Sequence, residues 1–298
     1  MITLDFDPFL RLGDRAIRLE TLALAGAIFV GLVLAGLIAG RTRVGAPAVV
    51  MSVDPPPRLR RDDLLFIVLG IVPGAVVGGR IGYVLLNLDY YRAHPGLVFD
   101  PASGGLQLSL GLVVGILTGA YVARLVEAPL GGWLHVLTVP LLVSLSLGKL
   151  AMALGGDGQG APSDAGWATA YGGGWAWDSL GPEVPSHPAQ VYEAMAVAVI
   201  LGFVLSALFL GAFGRRDGRL FVVGLAAWAV ARFILAFSWR DPAVVGPLRM
   251  DQLLSVVIVI GCLIALALAP AIAARRSAEG DRGESDLSWP DPETRPRF

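Results

Sequence analysis

Seven apolar runs, each long enough to cross a bilayer, decide what this chain can become. They cover about 20–40, 64–86, 106–126, 133–154, 188–212, 219–238 and 251–273. A helix needs roughly 20 apolar residues to span the hydrocarbon layer. Lipid offers no partner for a free N–H or C=O, so runs of this kind must fold as helices. The chain of 298 residues is 55% hydrophobic and 16% charged, with mean hydropathy +0.68. Soluble domains carry about 25% charged residues. The sequence therefore predicts an all-α membrane protein, a seven-transmembrane helix bundle.

The segments between the runs predict its orientation. Loop 41–63 carries Arg41, Arg43, Arg58, Arg60 and Arg61; loop 213–218 carries Arg215 and Arg216; the tail carries Arg275, Arg276, Arg282, Arg295 and Arg297. Loop 87–105 has only Arg92, and 155–187 has no lysine or arginine. Basic loops stay in the cytoplasm. The N-terminus is thus expected outside and the C-terminus in the cytoplasm. Residues 1–18 read as an extracytoplasmic segment without a cleavable signal, 19–274 as the transmembrane domain, and 275–298 as a disordered cytoplasmic tail. Loop 155–187 is glycine-rich and acidic, and carries Trp167, Tyr171, Trp175 and Trp177. Aromatics at that density suit a membrane–water interface, so the loop reads as an outer cap on the headgroups.

Some functions are excluded early. Net charge is −1, which gives no footprint for nucleic acid. A single cysteine, Cys262, permits neither an internal disulfide nor a cysteine-based metal site. It reads as a small buried hydrophobe.

The informative residues are the polar ones inside the apolar runs. Arg80 lies in Gly78-Gly79-Arg80-Ile81-Gly82-Tyr83-Val84-Leu85. A charge at the bilayer centre costs about 2.5–3.5 kcal/mol. The glycines around it admit a second backbone or a ligand. Arg80, Lys149 and Arg232 fall near the outer ends of spans two, four and six. Glu20, Gln107, Ser109, His187, Gln190 and Glu193 fall near the outer starts of spans one, three and five. Three cations facing few acids at one depth point to an anionic ligand, with a phospholipid phosphate as the natural candidate. The competing reading is structural: Arg80 pairs with Glu193, and Arg232 with Glu20, as buried struts.

Span five opens with Ser186-His187-Pro188-Ala189-Gln190-Val191-Tyr192-Glu193. Pro188 suits a first helical turn. Helical spacing lets His187, Gln190 and Glu193 face one interior at the outer rim, where a histidine can move protons near neutral pH.

These runs carry a resemblance. Gly78 to Leu85 and His187 to Glu193, with Ala231-Arg232-Phe233 and Met250-Asp251-Gln252-Leu253-Leu254-Ser255, resemble the prolipoprotein diacylglyceryl transferase family over about residues 18–270. The resemblance implies a multi-pass bacterial inner-membrane enzyme. It would move the diacylglyceryl group of phosphatidylglycerol onto the lipobox cysteine thiol of a prolipoprotein signal peptide, releasing glycerol phosphate. It implies no metal and no cofactor; the partners are phosphatidylglycerol, the prolipoprotein and membrane lipids. On it, His187, Arg232 and Glu193 are the candidate catalytic residues. Arg80, Lys149, Gln190, Tyr83 and Ser109 are the candidate headgroup-binding residues.

Several positions depart from the family pattern. Lys149 stands at a family arginine, Met152 and Gly155 at asparagines, and Asp157 at a glutamate. Ser109 stands where the family carries a histidine, and Glu20 where it carries a tyrosine. A serine is no unassisted base near pH 7. Besides the transferase, two readings stay open. One is a non-catalytic or altered-specificity homologue that binds an anionic phospholipid or lipopeptide. The other is a small-anion transporter, which the lack of internal repeats disfavours.

Overall fold

The computed structural model describes residues 1–42, 59–100, 104–172 and 179–286, the side chains of 272–286 excepted. Among the described residues, seven helices are long and apolar enough to cross a membrane: α1 (Leu19–Arg41), α2 (Arg61–Leu86), α4 (Leu108–Leu125), α5 (Leu130–Met152), α6 (Ala189–Phe209), α7 (Arg219–Leu235) and α8 (Met250–Asp286). Each matches one apolar run of the sequence. The short helix α3 (Leu88–Ala93) and a 3₁₀ helix (Pro95–Phe99) follow α2. The last helix continues to Asp286, past Ser277, into the stretch read as disordered. Residues 287–298 of that stretch lie outside the described residues.

Small residues let the helices close on one another. Between lipid-embedded helices there is little hydrophobic drive, so backbone proximity and van der Waals contact decide the packing. On α2, Gly74, Gly78 and Gly82 recur every fourth residue and are buried. On α4, Gly111, Gly115 and Gly119 do the same. A Cβ on Gly78 would lie 2.5 Å from Val114 Cβ and 2.8 Å from the Leu110 carbonyl. A Cβ on Gly111 would lie 3.0 Å from the Ala75 carbonyl. Glycine spacing here serves helix approach. The glycines beside Arg80 admit α4: the Gln107 N–H donates to the Gly79 carbonyl at 2.9 Å. The α1–α5 contact repeats the device. Ala27, Gly31, Ala35 and Ala39 form the buried stripe of α1, and Ser144 Oγ of α5 donates to the Ala27 carbonyl at 3.0 Å.

Two apolar clusters fill the interior. One joins α5 to α8 through Leu142, Val197, Leu220, Trp228, Ile258 and Cys262. The other joins α1, α2, α4 and α5 through Ala39, Ile67, Ala123, Trp133 and Val136. Cys262 is buried, as its apolar context predicts.

The short strands of the described residues flank the start of α1, the loop after α5 and the start of α8. Strand β1 (Ile2–Leu4) pairs in parallel with β4 (Thr169–Tyr171). Strands β2 (Phe9–Leu12) and β3 (Arg15–Arg18) form a hairpin leading into α1, and β5 (Ala243–Val245) pairs with β6 (Leu248–Arg249) before α8. The described part of 155–187 is thus a folded unit tied to the N-terminal segment. Ser186 bridges to both Pro162 and Thr169, and all three residues of β4 are buried. Trp175, Trp177 and Asp178 lie outside the described residues.

Gly78→Ala should lower stability by about 1–3 kcal/mol, the usual effect of overpacking. Gly202→Ala in α6, where a Cβ meets nothing within 4 Å, should be neutral or gain up to about 1 kcal/mol. Thermal unfolding of both variants in detergent tests the pair.

Candidate functional site

The ends of five transmembrane helices converge on one buried polar chain. Lys149, in the last turn of α5, places Nζ 2.9 Å from Glu193 Oε2. Glu193, early in α6, accepts from Arg232 Nη1 through its other oxygen. Arg232, in the last turn of α7, donates through Nη2 to Asp251 Oδ1 at 2.9 Å. Asp251 lies in the first turn of α8. Its Oδ1 also accepts from Gln107 Nε2 and Ser109 Oγ, each at 2.7 Å. Gln107 caps α4, accepting through Oε1 from the Leu110 N–H. The order is Lys149–Glu193–Arg232–Asp251, with Gln107 and Ser109 closing the Asp251 end.

Burial gives these contacts their weight. Glu193 is 2% exposed, Arg232 3% and Ser109 0%. A desolvated charge needs an opposite charge and satisfied hydrogen bonds. Arg232 has two carboxylates, with the faces of Trp239 and Trp228 at 4.5 and 5.2 Å from its guanidinium carbon. Arginine stacks on aromatic faces in this way.

Two expectations change here. The sequence reading set three cations against few acids. The structure adds Asp251, so Lys149 and Arg232 face Glu193 and Asp251, and the chain is neutral without a ligand. The alternative strut pairings do not form either. Glu20 receives Arg18 Nη2 at 2.7 Å, and Arg80 lies elsewhere.

Arg80 closes the 3₁₀ helix. Its Nε donates to the Val98 carbonyl at 2.7 Å, and its Nη2 to the carbonyls of Leu97 and Asp100 at 2.7 and 2.9 Å. The Leu97 carbonyl also accepts from the Asp100 N–H at 3.2 Å, and the last carbonyls of a helix lack partners further along it. The guanidinium sits over Tyr91 and Tyr83, 5.3 and 6.0 Å from their centroids. The intramembrane charge meets peptide dipoles and aromatic faces, and holds the segment after α2 against that helix.

His187, Gln190 and Glu193 separate. Glu193 belongs to the polar chain. Gln190 is buried and donates to the Tyr171 hydroxyl at 3.1 Å, while that hydroxyl donates to the Ala153 carbonyl at 2.8 Å. Burial, with Glu20 and Asp157 nearby, pushes the Tyr171 phenol up to about 12; the Gln190 bond opposes this. Tyr171 therefore stays protonated in the working range. His187 is half-buried before α6, with Nδ1 3.2 Å from the Tyr192 hydroxyl, which also accepts from Trp167 Nε1 at 2.7 Å. A Trp N–H can only donate. Donor and acceptor in the His187–Tyr192 pair are set by the histidine tautomer.

The residue missed by sequence reasoning is Asp251. It appeared only within the run opening span seven. The signal was present: it is an acid at the first position of an apolar run, at the same end as Glu193.

The chain's openness is uneven. Arg232 is closed by two carboxylates, and its Nε is buried without a partner. Lys149 keeps 13% of its side chain exposed and spends one contact on Glu193. An ammonium has three donors, so two remain for a ligand. Asp251 uses only Oδ1; its Oδ2 takes no hydrogen bond from the described residues.

Comparison with known proteins places the chain, by sequence, among transferases. Residues 8–268 match the family model described as prolipoprotein diacylglyceryl transferase. Three similar proteins are each named phosphatidylglycerol--prolipoprotein diacylglyceryl transferase. The one from Nitrobacter winogradskyi is 32% identical over 95% of this chain and 94% of its own length. That from Bradyrhizobium diazoefficiens is 30% identical, covering 94% and 99%. That from Geobacter sulfurreducens is 33% identical, covering 66% and 74%.

Glu193→Gln leaves Lys149 and Arg232 with one carboxylate between them. It should cost about 3–5 kcal/mol, the scale for breaking a buried pair, read as a lowered unfolding midpoint in detergent. Arg80→Ala should speed amide hydrogen exchange across 88–100 while exchange in α5–α7 stays unchanged. Protection retained across 88–100 would refute the role given to Arg80.

Proposed function

The chain belongs to the prolipoprotein diacylglyceryl transferase family, and we propose that it transfers the diacylglyceryl group of phosphatidylglycerol to a prolipoprotein thiol, releasing glycerol phosphate. The acceptor in this reading is the lipobox cysteine of a signal peptide, and the setting is the bacterial inner membrane. The Lys149 end of the polar chain faces outward, where the headgroup lies.

The chemistry asks for two things. A leaving phosphate must be stabilised as negative charge builds on it. A thiol must lose its proton, since the thiolate is the nucleophile. The observation that carries the reading is Lys149, which is held by one carboxylate and keeps two N–H donors. It supplies the phosphate contact. Glu193 orients that ammonium, and Arg232 holds Glu193 in place. Lysine is a point charge and offers no bidentate fork, so phosphate contact at Lys149 constrains position less than an arginine would. Gln190 fixes the loop residue Tyr171 beside α5, and His187 links the opening of α6 to Trp167 through Tyr192. Both support the rim. Arg80 and Tyr83 shape the neighbouring segment.

The non-catalytic reading has one observation in its favour: Ser109, at a family histidine position, is wholly buried and already hydrogen-bonded. Genetic rescue separates the two. The chain should restore prolipoprotein modification in a bacterium depleted of its own enzyme, and Lys149→Ala should reduce transfer about 10²- to 10³-fold, the scale for losing one charge-stabilising donor. A membrane-inserted wild type that fails to rescue would leave the binding-only reading standing.

A further inference from the structure

Two helices, α4 and α7, arrange donors around Asp251 of α8 so that one of its oxygens is filled and the other is not. Oδ1 accepts from Gln107 Nε2, Ser109 Oγ and Arg232 Nη2. Oδ2 accepts from no described residue. It is not among the buried polar atoms left without a partner, which are Trp133 Nε1, His135 Nδ1, Thr169 Oγ1, Gln190 Oε1, Trp228 Nε1 and Arg232 Nε. The side chain keeps 11% of its surface exposed. Asp251 is 9% exposed as a residue, so Oδ2 is an unpartnered acceptor on a side chain that keeps some access to its surroundings, at the same end of the bundle as Lys149.

We propose that Asp251 is the proton acceptor for the attacking thiol, a catalytic residue of the transfer named above. The assignment rests on the transferase reading. It also accounts for Ser109: the serine is no base itself, but with Gln107 it fixes the carboxylate that is. Arg232 Nη2 donates to that carboxylate through Oδ1, which leaves Oδ2 as an acceptor.

The step balances. The cysteine S–H bond breaks and its proton passes to Asp251 Oδ2. The sulfur–carbon bond forms at the glyceryl carbon bearing the phosphate ester. The carbon–oxygen bond breaks, and its electron pair stays on the phosphate oxygen of the departing glycerol phosphate. Water then takes the proton from Asp251. A thiol's proton becomes far more acidic as sulfur bonds to carbon, so a carboxylate suffices as acceptor late in the displacement. Displacement at saturated carbon brings the nucleophile in opposite the leaving group. The polar chain has this polarity: an open carboxylate at one end, an open ammonium at the other, and the closed Glu193–Arg232 pair between them.

The test uses the full chain in phosphatidylglycerol nanodiscs with a lipobox-cysteine peptide. It follows alkylation of the bound thiol by iodoacetamide, which forms a sulfur–carbon bond without needing transfer. Wild type should accelerate alkylation relative to free peptide on the order of 10²-fold, the scale of general-base catalysis. Asp251→Asn should lose that acceleration while peptide binding persists. Absence of acceleration in wild type, or its persistence in Asp251→Asn, overturns the assignment. Should Asn alone unfold the protein, the double variant Asp251→Asn with Arg232→Gln removes one charge of each sign and leaves Lys149 paired with Glu193. Acceleration surviving in it would equally overturn the assignment, and its loss would support it. Diacylglyceryl transfer is assayed separately, so failure of the transferase reading with retained thiol activation is a distinguishable result.

Discussion

The structure depends on how the guanidinium of Arg232 is housed. A charge buried this deeply in a lipid-embedded bundle is unfavourable by several kcal/mol unless paired. Glu193 and Asp251 each take one of its Nη atoms. Pairing on both sides ties α7 to α6 and α8 at once. Lys149 extends the tie to α5, and Gln107 and Ser109 extend it to α4. Apolar contact alone would not fix the rotation of these helices, because lipid tails are as apolar as leucine. A polar chain with one pairing pattern does fix it. Function then inherits the register: the groups that hold the helices together also set which oxygen and which ammonium remain open.

The glycine contacts of α2 and α4 do complementary work farther from the site. They bring two backbones together and place the start of α4 beside Gly79. That placement carries Gln107 and Ser109 to Asp251. Packing of small residues in one helix pair is therefore upstream of the geometry at the carboxylate.

Much of this was legible in the sequence. Lipid imposes strong rules, so apolar length alone gave seven spans within a few residues of the observed helices. The common depth of Lys149, Glu193, Arg232 and Ser109 was also readable, because alternating spans place starts and ends together. Partner choice was not. Arg80 carried the same signal as Arg232, an arginine near the C-terminal end of a span. One meets two carboxylates; the other meets three carbonyls of a segment not recognisable as a 3₁₀ helix. A backbone acceptor leaves no mark in side-chain identity. Asp251 was overlooked for a related reason: at the edge of an apolar run, an acid looks like a solvated helix start.

The departures from the family pattern gain meaning when taken in space. Read singly, each removes a group the family uses. Read together, they compensate in pairs. By the resemblance read from the sequence, Glu20 stands at a family tyrosine and Gly155 at a family asparagine. A Cβ at 155 would collide with the Glu20 carboxylate, so the acid at one position requires glycine at the other. Asp157, at the family glutamate, lies against the same carboxylate, and Arg18 offsets its charge. Ser109, at the family histidine, hydrogen-bonds Asp251. Unconstrained loss of a site would leave cavities and unpaired charges at these places. Here Glu20, Gly155 and Asp157 share one space, with two like-charged carboxylates beside Arg18, and Ser109 is hydrogen-bonded to the carboxylate to which proton acceptance is assigned.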